Sequence, residues 1–271
     1  MNQLFRIIAI SVTKLCILLP HYAYAFNDAH IHYNQDVWRM LTPAEAVTLM
    51  KQAGIHKALV SSTPTRGTEK LYHEDDQLVV PMLRPYKDYR HRFLWFKDEQ
   101  LIDYLRQQLK KLPYVGIGEF HVFGADADLQ PVAEMIELAR RQQLILHAHT
   151  DLDGMQRLLN KANDLVLIWA HGGFDVAVEQ LRELLARYPH LYIDLAYREG
   201  MLDKDKKLTS EWRSFLQHYP DRFLLGSDTY KASRWAQLSE LSEQSSHWLN
   251  QLPDDVNTLI AEKNLMQLLK R

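Results

Sequence analysis

The sequence predicts an α/β fold, a (β/α)8 TIM barrel in a single domain. Three observations carry the prediction. From residue 26 onward, eight short apolar runs alternate with amphipathic stretches or long loops, the order of a parallel sheet covered by helices. Eight such units in roughly 245 residues match a closed barrel in size. The first run is not followed by the glycine-rich phosphate loop that would favour an open doubly wound sheet.

The first run is FNDAHIHY (26–33). On a strand, residues two apart share a face, so Asp28, His30 and His32 should project together. LTPAEAVTLMKQAG then reads as a helix: Thr42 caps it, Pro43 takes the first helical position, Glu45 completes a capping box and Gly54 ends it. HKALVSS (56–62) and QLVVPML (77–83) are the second and third runs. A charged helical stretch near 98–111 leads to YVGIGEF (114–120), and a helix over 129–142 leads to QLILHAH (143–149). A short helix near 153–162 precedes DLVLIWAH (164–171), and one over 175–187 precedes HLYIDLA (190–196). A helix over 209–218 leads to RFLLGSD (222–228), and helical segments at about 233–250 and 255–270 complete the chain.

Residues 1–25 differ in kind. Arg6 precedes the apolar run IIAISVTKLCILLP, and Ala23-Tyr24-Ala25 has the small-residue spacing of a cleavage site. This is the order of a signal peptide removed after Ala25, and it implies a periplasmic or secreted mature chain, residues 26–271. The run is interrupted by Lys14 and is shorter than the roughly 20 residues that span a bilayer, so no stable membrane span is expected after cleavage. The only cysteine, Cys16, lies in this segment, which leaves the mature chain without a disulfide or a thiolate ligand. The whole chain is 46% hydrophobic and 24% charged with a net charge of −2, an ordinary globular composition that gives no reason to expect a nucleic-acid partner. The sequence carries no sign of an oligomeric state.

The unusual polar residues fall at one end of the runs. His30 and His32 end the first, Glu119 the fourth, His147 and His149 the fifth, His171 the sixth, Asp194 the seventh and Asp228 the eighth. In a closed barrel these strand ends converge on one mouth, where barrel enzymes place their chemistry. Any one of them has an ordinary alternative: Asp194 as a loop cap, Asp228 as a turn residue after Gly226-Ser227. His56, His73, His91, His121, His190, His218 and His247 carry only the ordinary reading of loop or core histidines. Imidazoles and carboxylates without thiolate suit Zn²⁺, Mn²⁺ or Fe²⁺.

The motifs DAHIH, GIGEF, LILHAH, IWAHGG, RFLLGSD and LIAEKNLMQLL, in this order, resemble the amidohydrolase superfamily, and in particular its amidohydrolase-2 type, which includes lactonases and decarboxylases. The resemblance covers almost all of residues 26–271. It implies a divalent metal, Zn²⁺ foremost, as one or two ions. His30 and His32 match the first-strand ligands, His147 the fifth-strand ligand, His171 the sixth-strand histidine and Asp228 the eighth-strand aspartate. Many two-metal members carry a carboxylated lysine on the fourth strand. Glu119 stands there instead, as in the metal-dependent deoxyribonuclease branch associated with Tat-type proteins. His149 shares a face with His147, and either is a candidate ligand.

The expected activity is metal-dependent hydrolysis of a small-molecule ester, lactone, amide or similar substrate. The cation activates a water, Asp228 moves its proton, and His171 orients the substrate oxygen or binds a second ion. The resemblance also permits decarboxylation. The rival readings are a phosphodiesterase or deoxyribonuclease and a non-catalytic metal-binding barrel. Substrate contacts are expected from the segment RPYKDYRHRFLWFK (84–97), with Arg84 and Arg90 as anion clamps, and from Tyr197 and Arg198 beyond the seventh run. The alternative for this segment is a solvated loop whose aromatic residues pack on the barrel.

Overall fold

The computed structural model describes residues 25–270, so the signal-peptide reading lies, Ala25 apart, outside the described residues. Eight parallel strands form one sheet in sequence order: β1 (Phe26–Ile31), β2 (Ile55–Val60), β3 (Val79–Leu83), β4 (Gly116–His121), β5 (Ile145–His149), β6 (Leu167–Trp169), β7 (Leu191–Asp194) and β8 (Phe223–Leu224). The sheet returns on itself. Ala29 N donates to Leu225 O at 2.7 Å and Asp228 N to His30 O at 2.7 Å, which brings the end of β8 to β1. The expected single-domain (β/α)8 barrel is therefore the observed one.

The helices follow the expected rhythm: α1 (Pro43–Gln52), α2 (Arg66–Glu74), α3 (Leu101–Gln108), α4 (Gln130–Gln142), α5 (Leu152–Ala162), α6 (Val178–Arg187) and α7 (Ser210–His218). The start of α1 has the predicted chemistry: Glu45 N donates to Thr42 Oγ1 at 3.3 Å, and Thr42 N donates to Glu45 Oε2 at 2.8 Å. Gly54 follows with φ 81°, a conformation that favours glycine. The sequence reading leaves the link between the second and third runs unassigned. The structure fills it with α2, which buries Leu71. The stretch read as one helix near 233–250 is broken at Gln237 into α8 (Ala232–Ala236) and α9 (Leu238–Leu249), and the last segment into α10 (Asp254–Thr258), a wide turn and α11 (Asn264–Leu268). Among the described residues, no helix is long and apolar enough to cross a membrane.

Two apolar clusters hold the barrel. The larger packs alternate strand residues, such as Leu146, Ala148, Leu167, Trp169 and Ile193, with the helices. The smaller joins the other set: Leu59, Met82, Ile145, Ile168, Tyr192 and Leu224, together with Leu265 and Leu268 of α11. Followed along the strands, this second face turns polar. Ile145 gives way to His147 and His149, Tyr192 to Asp194, and Leu59 to Ser61. Strand periodicity thus carries the core's inner face directly into the mouth.

Replacing the α1 cap, Thr42→Ala, should cost about 1 kcal/mol. In thermal unfolding this appears as a fall of about 2–4 °C in Tm, and an unchanged Tm would mean that the box does not hold the helix start.

Candidate metal centre

His30 and His32 stand side by side at the end of β1, both buried. Each ring is fixed through Nδ1. His30 Nδ1 donates to Asp194 Oδ2 at 2.5 Å, and His32 Nδ1 donates to the Ser61 carbonyl at 2.6 Å. A carbonyl cannot donate, and a charged carboxylate only accepts, so each ring keeps a proton on Nδ1 and turns its Nε2 toward the same point. Those two atoms face each other at 2.9 Å. Asp228 Oδ1 lies 3.6 Å from the first and 3.4 Å from the second. Two ring nitrogens and a carboxylate oxygen turned toward one buried point draw a cation there, a proton on His30 or a metal ion in its place. A tetrahedral ion with bonds of about 2.1 Å separates its ligand atoms by about 3.4 Å, so the spacing fits one.

Glu119 closes the group. Its Oε2 is 3.2 Å from His32 Nε2, and its Oε1 is 3.6 Å from His30 Nε2. A local irregularity of β4 puts it there. Ile117 packs outward with the helices, so strict alternation would send Glu119 outward as well. The pairing with β5 instead skips Glu119: Gly118 lies opposite His147 and Phe120 opposite Ala148, a bulge that turns the carboxylate into the mouth. Across Glu119, His149 Nδ1 lies 2.7 Å from Oε1, and His171 Nε2 lies 3.5 Å from the same oxygen. His171 donates its Nδ1 proton to Ala196 O at 2.7 Å, which turns its Nε2 toward Glu119.

The charges reinforce this geometry. Burial pulls the His30 imidazole down, but Asp228, Asp194 and Glu119 outweigh it and hold its pKa well above the ordinary value. Burial raises the Asp194 carboxyl, yet His30 and His147 keep it far below the usual carboxylate range. Glu119 is likewise held down, against burial, by His30, His121 and His149. His32, buried and beside the Arg84 guanidinium, is lowered to about 4 and stays neutral at neutral pH. The pocket keeps Asp194 and Glu119 charged and draws positive charge toward them.

The structure divides the fifth-strand histidines. His149 lines the mouth cavity, a space of about 280 Å³. His147 lies beneath, its ring 4.8 Å from that of His30 and its Nε2 3.6 Å from Asp194 Oδ2. The first-run trio divides too. His30 and His32 reach the mouth, while Asp28 accepts from the backbone N–H groups of His30 and Ser227 at 2.8 and 3.1 Å.

The expected substrate contacts are reached only in part. Tyr197 and Arg84 line the cavity. Arg90 does not: it is exposed on the turn Tyr89–Phe93, and its neighbours Tyr89 and Arg92 face the cavity in its place. Arg198 is also a correction. Its guanidinium stacks 4.9 Å from the Trp212 ring, bonds the Val176 carbonyl and lines a separate cavity of about 200 Å³. In segment 84–97 both expectations hold, for different residues. Tyr86, Trp95 and Phe96 pack inward, with Trp95 Nε1 donating to His121 O at 2.8 Å, while Arg84, Tyr89 and Arg92 turn to the cavity. His121, given only an ordinary reading from sequence, stacks on His149 at 4.1 Å and lines the same space.

With this geometry in hand, a model of the family described as amidohydrolase matches residues 27–270. No curated protein matches the sequence. Among solved structures, a putative 2-pyrone-4,6-dicarboxylic acid hydrolase from Pseudomonas putida is similar at 14% identity and a TM-score of 0.64, over 91% of this chain and 97% of that one. An amidohydrolase from Burkholderia multivorans with bound zinc is similar at 14% identity and a TM-score of 0.60, over 91% and 99%. A probable 2-pyrone-4,6-dicarboxylic acid hydrolase from Acinetobacter baumannii with citric acid bound is similar at 10% identity and a TM-score of 0.61, over 92% and 100%. At these identities the likeness to solved structures shows the fold alone.

Gly226 gives a test of how tightly the centre is built. A Cβ added there would lie 2.4 Å from Asp194 Oδ1 and 2.7 Å from His30 Cβ. Gly226→Ala should therefore destabilise the fold by about 1–3 kcal/mol, read as a lowered urea midpoint. Wild-type stability would show that the Asp194–His30 contact has room to spare.

Proposed function

This chain belongs to the amidohydrolase family and is a metal-dependent hydrolase, and from that premise we propose that it hydrolyses a small-molecule ester, lactone or amide at the mouth of the barrel. The observation that carries the reading is the convergence of His30 Nε2, His32 Nε2 and Asp228 Oδ1 on one buried point, 2.9–3.6 Å apart. We assign His30, His32, Asp228 and Glu119 as the residues that hold a divalent cation, with His149 rather than His147 beside it. Zinc suits this donor set, and the zinc-bound relative from Burkholderia multivorans supports the choice. Bound there, such an ion supplies Lewis-acid activation of water and of a substrate carbonyl.

The protein's own groups do the rest. Asp228 takes the proton of the attacking water and returns it to the leaving group. The Nε2 of His171, aimed by the Nδ1 bond to Ala196 O, orients the substrate. Asp194 acts through His30: by fixing the Nδ1 proton it sets the tautomer and ring angle that aim Nε2. The cavity of about 280 Å³ suits a small substrate, which favours the hydrolase over the nuclease reading. Arg92 is the guanidinium that the site leaves for a substrate anion. It lines the cavity, stacked over Tyr89 and Phe93, without an ion pair to a carboxylate among the described residues. Phe174, Tyr197 and Tyr230 supply flat apolar walls. The leader-like composition of residues 1–25 supports action outside the cytoplasm.

Asp228→Asn should lower kcat by about 10²–10⁴-fold on whichever ester or lactone the wild type turns over, while elemental analysis still finds metal. Full turnover in that variant would remove Asp228 from the proton path. Arg92→Ala should raise KM for an anionic substrate by about 10-fold or more with little change in kcat, the mark of binding shared by ground and transition states. An unchanged KM would assign anion binding elsewhere.

A further inference from the structure

We infer that the substrate is an amphiphile: its reacting head fills the mouth cavity, and a sizeable apolar group lies outside that cavity on a rim of aromatic rings. The inference rests on the proposed hydrolase reading of the cavity and names what the substrate carries beyond the reacting bond.

The exposed aromatic residues are not scattered. Among the described residues six aromatic side chains are exposed, by 36–63%: Tyr89, Phe93, Phe123, Phe174, Tyr197 and Tyr230. All six surround the mouth. Tyr89, Phe174, Tyr197 and Tyr230 line the cavity itself. Phe93 and Phe123 stand beyond it, edge-on to cavity histidines, with ring centroids 5.8 Å from His121 and 5.9 Å from His149 respectively. The six come from five separate loops, those after β3, β4, β6, β7 and β8. Single exposed apolar residues are ordinary on any surface, but six gathered at one opening form a patch of the kind that binds something.

The rings are held in place. Phe174 stacks on His171 at 4.4 Å, and Tyr197 lies against the Arg234 guanidinium at 4.1 Å. Arg92 packs over both Tyr89 and Phe93, at 4.5 and 4.4 Å. Phe174 and Tyr197 keep positive φ, 61° and 52°, at some expense to the backbone. Rings fixed in this way lose little freedom when an apolar group settles on them.

Size and continuity select the occupant. A cavity of about 280 Å³ lies at the small end of ligand sites, so it takes the reacting head and leaves a longer molecule to emerge. What emerges meets Phe93 and Phe123, because ring contacts run from the stacked pair His121 and His149 outward to both. Rings that served only a bilayer or a second copy of the chain would need no contact with the histidines of the site.

The test uses metal-loaded protein and a readout apart from turnover: calorimetric titration with straight-chain carboxylates from butyrate to decanoate, below their micellar range. Complete burial of a methylene gives about fourfold in affinity, so one laid on an open rim should give about twofold. Decanoate should then bind at least about 10-fold tighter than butyrate. Phe93→Ala with Phe123→Ala should cut that ratio to about threefold or less, whereas damage to the structure alone would weaken every chain length alike. Should the double variant fail to fold, Phe123→Ala is read by the same ratio, which should fall by about half or more. A flat series in the wild type overturns the inference, as does an unchanged ratio in a folded variant. Co-sedimentation with phosphatidylethanolamine–phosphatidylglycerol vesicles and sedimentation velocity of the protein alone read the other occupants. Vesicle binding or self-association that the variants lose, beside a flat carboxylate series, assigns the rim to a membrane or to a second copy and overturns the inference. A graded series in protein that turns over no ester, lactone or amide sinks the proposed function and leaves the apolar subsite standing, so the two failures are distinguishable.

Discussion

Two imidazole Nε2 atoms, held face to face at 2.9 Å in a buried site beside a carboxylate, are the constraint on which the centre depends. Neither can turn away. Each ring is fastened through Nδ1, one to Asp194 and one to the Ser61 carbonyl, and those anchors lie on β7 and just past β2. The close approach is thus built into the fold by elements on opposite sides of β1, and Asp228, brought over from the end of β8, adds a carboxylate oxygen at the same point. A buried focus that draws a proton onto His30 will also draw a metal cation, which displaces that proton.

The surroundings show what this construction costs. His171, Tyr197 and Asp228 all adopt positive φ, at 59°, 52° and 49°, a region that residues with a side chain enter at some expense. All three line the cavity. Glycine is required where strands crowd the cluster: a Cβ on Gly118 would lie 2.3 Å from the His147 carbonyl oxygen. Positive φ also occurs at Gln143 and Lys206, but His171, Phe174, Tyr197 and Asp228 gather at the mouth. The outer face of the barrel is ordinary close packing of Leu, Ile, Val and aromatic side chains against helices, and it stabilises the strained rim.

Much of this was legible in the sequence. Eight apolar runs and their polar endings place His30, His32, Glu119, His171 and Asp228 at one rim because parallel strands of a barrel all end on the same side. What escaped has physical reasons. Asp194 after a single apolar run reads like any loop cap, and its bond to His30 spans 164 residues. The inward turn of Glu119 depends on a bulge that strict alternation does not foresee, and His121 reaches the mouth one strand position beyond it, paired with His149. The choice among the arginines of segment 84–97 depends on a short turn over Tyr89–Phe93 that composition does not encode. Arg198 lies one residue past Tyr197, yet only Tyr197 reaches the mouth cavity, while both line the smaller one beside it.

The most direct measurement is anomalous diffraction at the zinc edge from crystals of zinc-loaded protein. The account requires a peak about 2.0–2.2 Å from His30 Nε2, His32 Nε2 and the Asp228 carboxylate, the bond lengths of zinc to nitrogen and oxygen donors. A map with no peak there at saturating zinc, or with zinc bound elsewhere on the chain while the two imidazoles remain face to face, would contradict it.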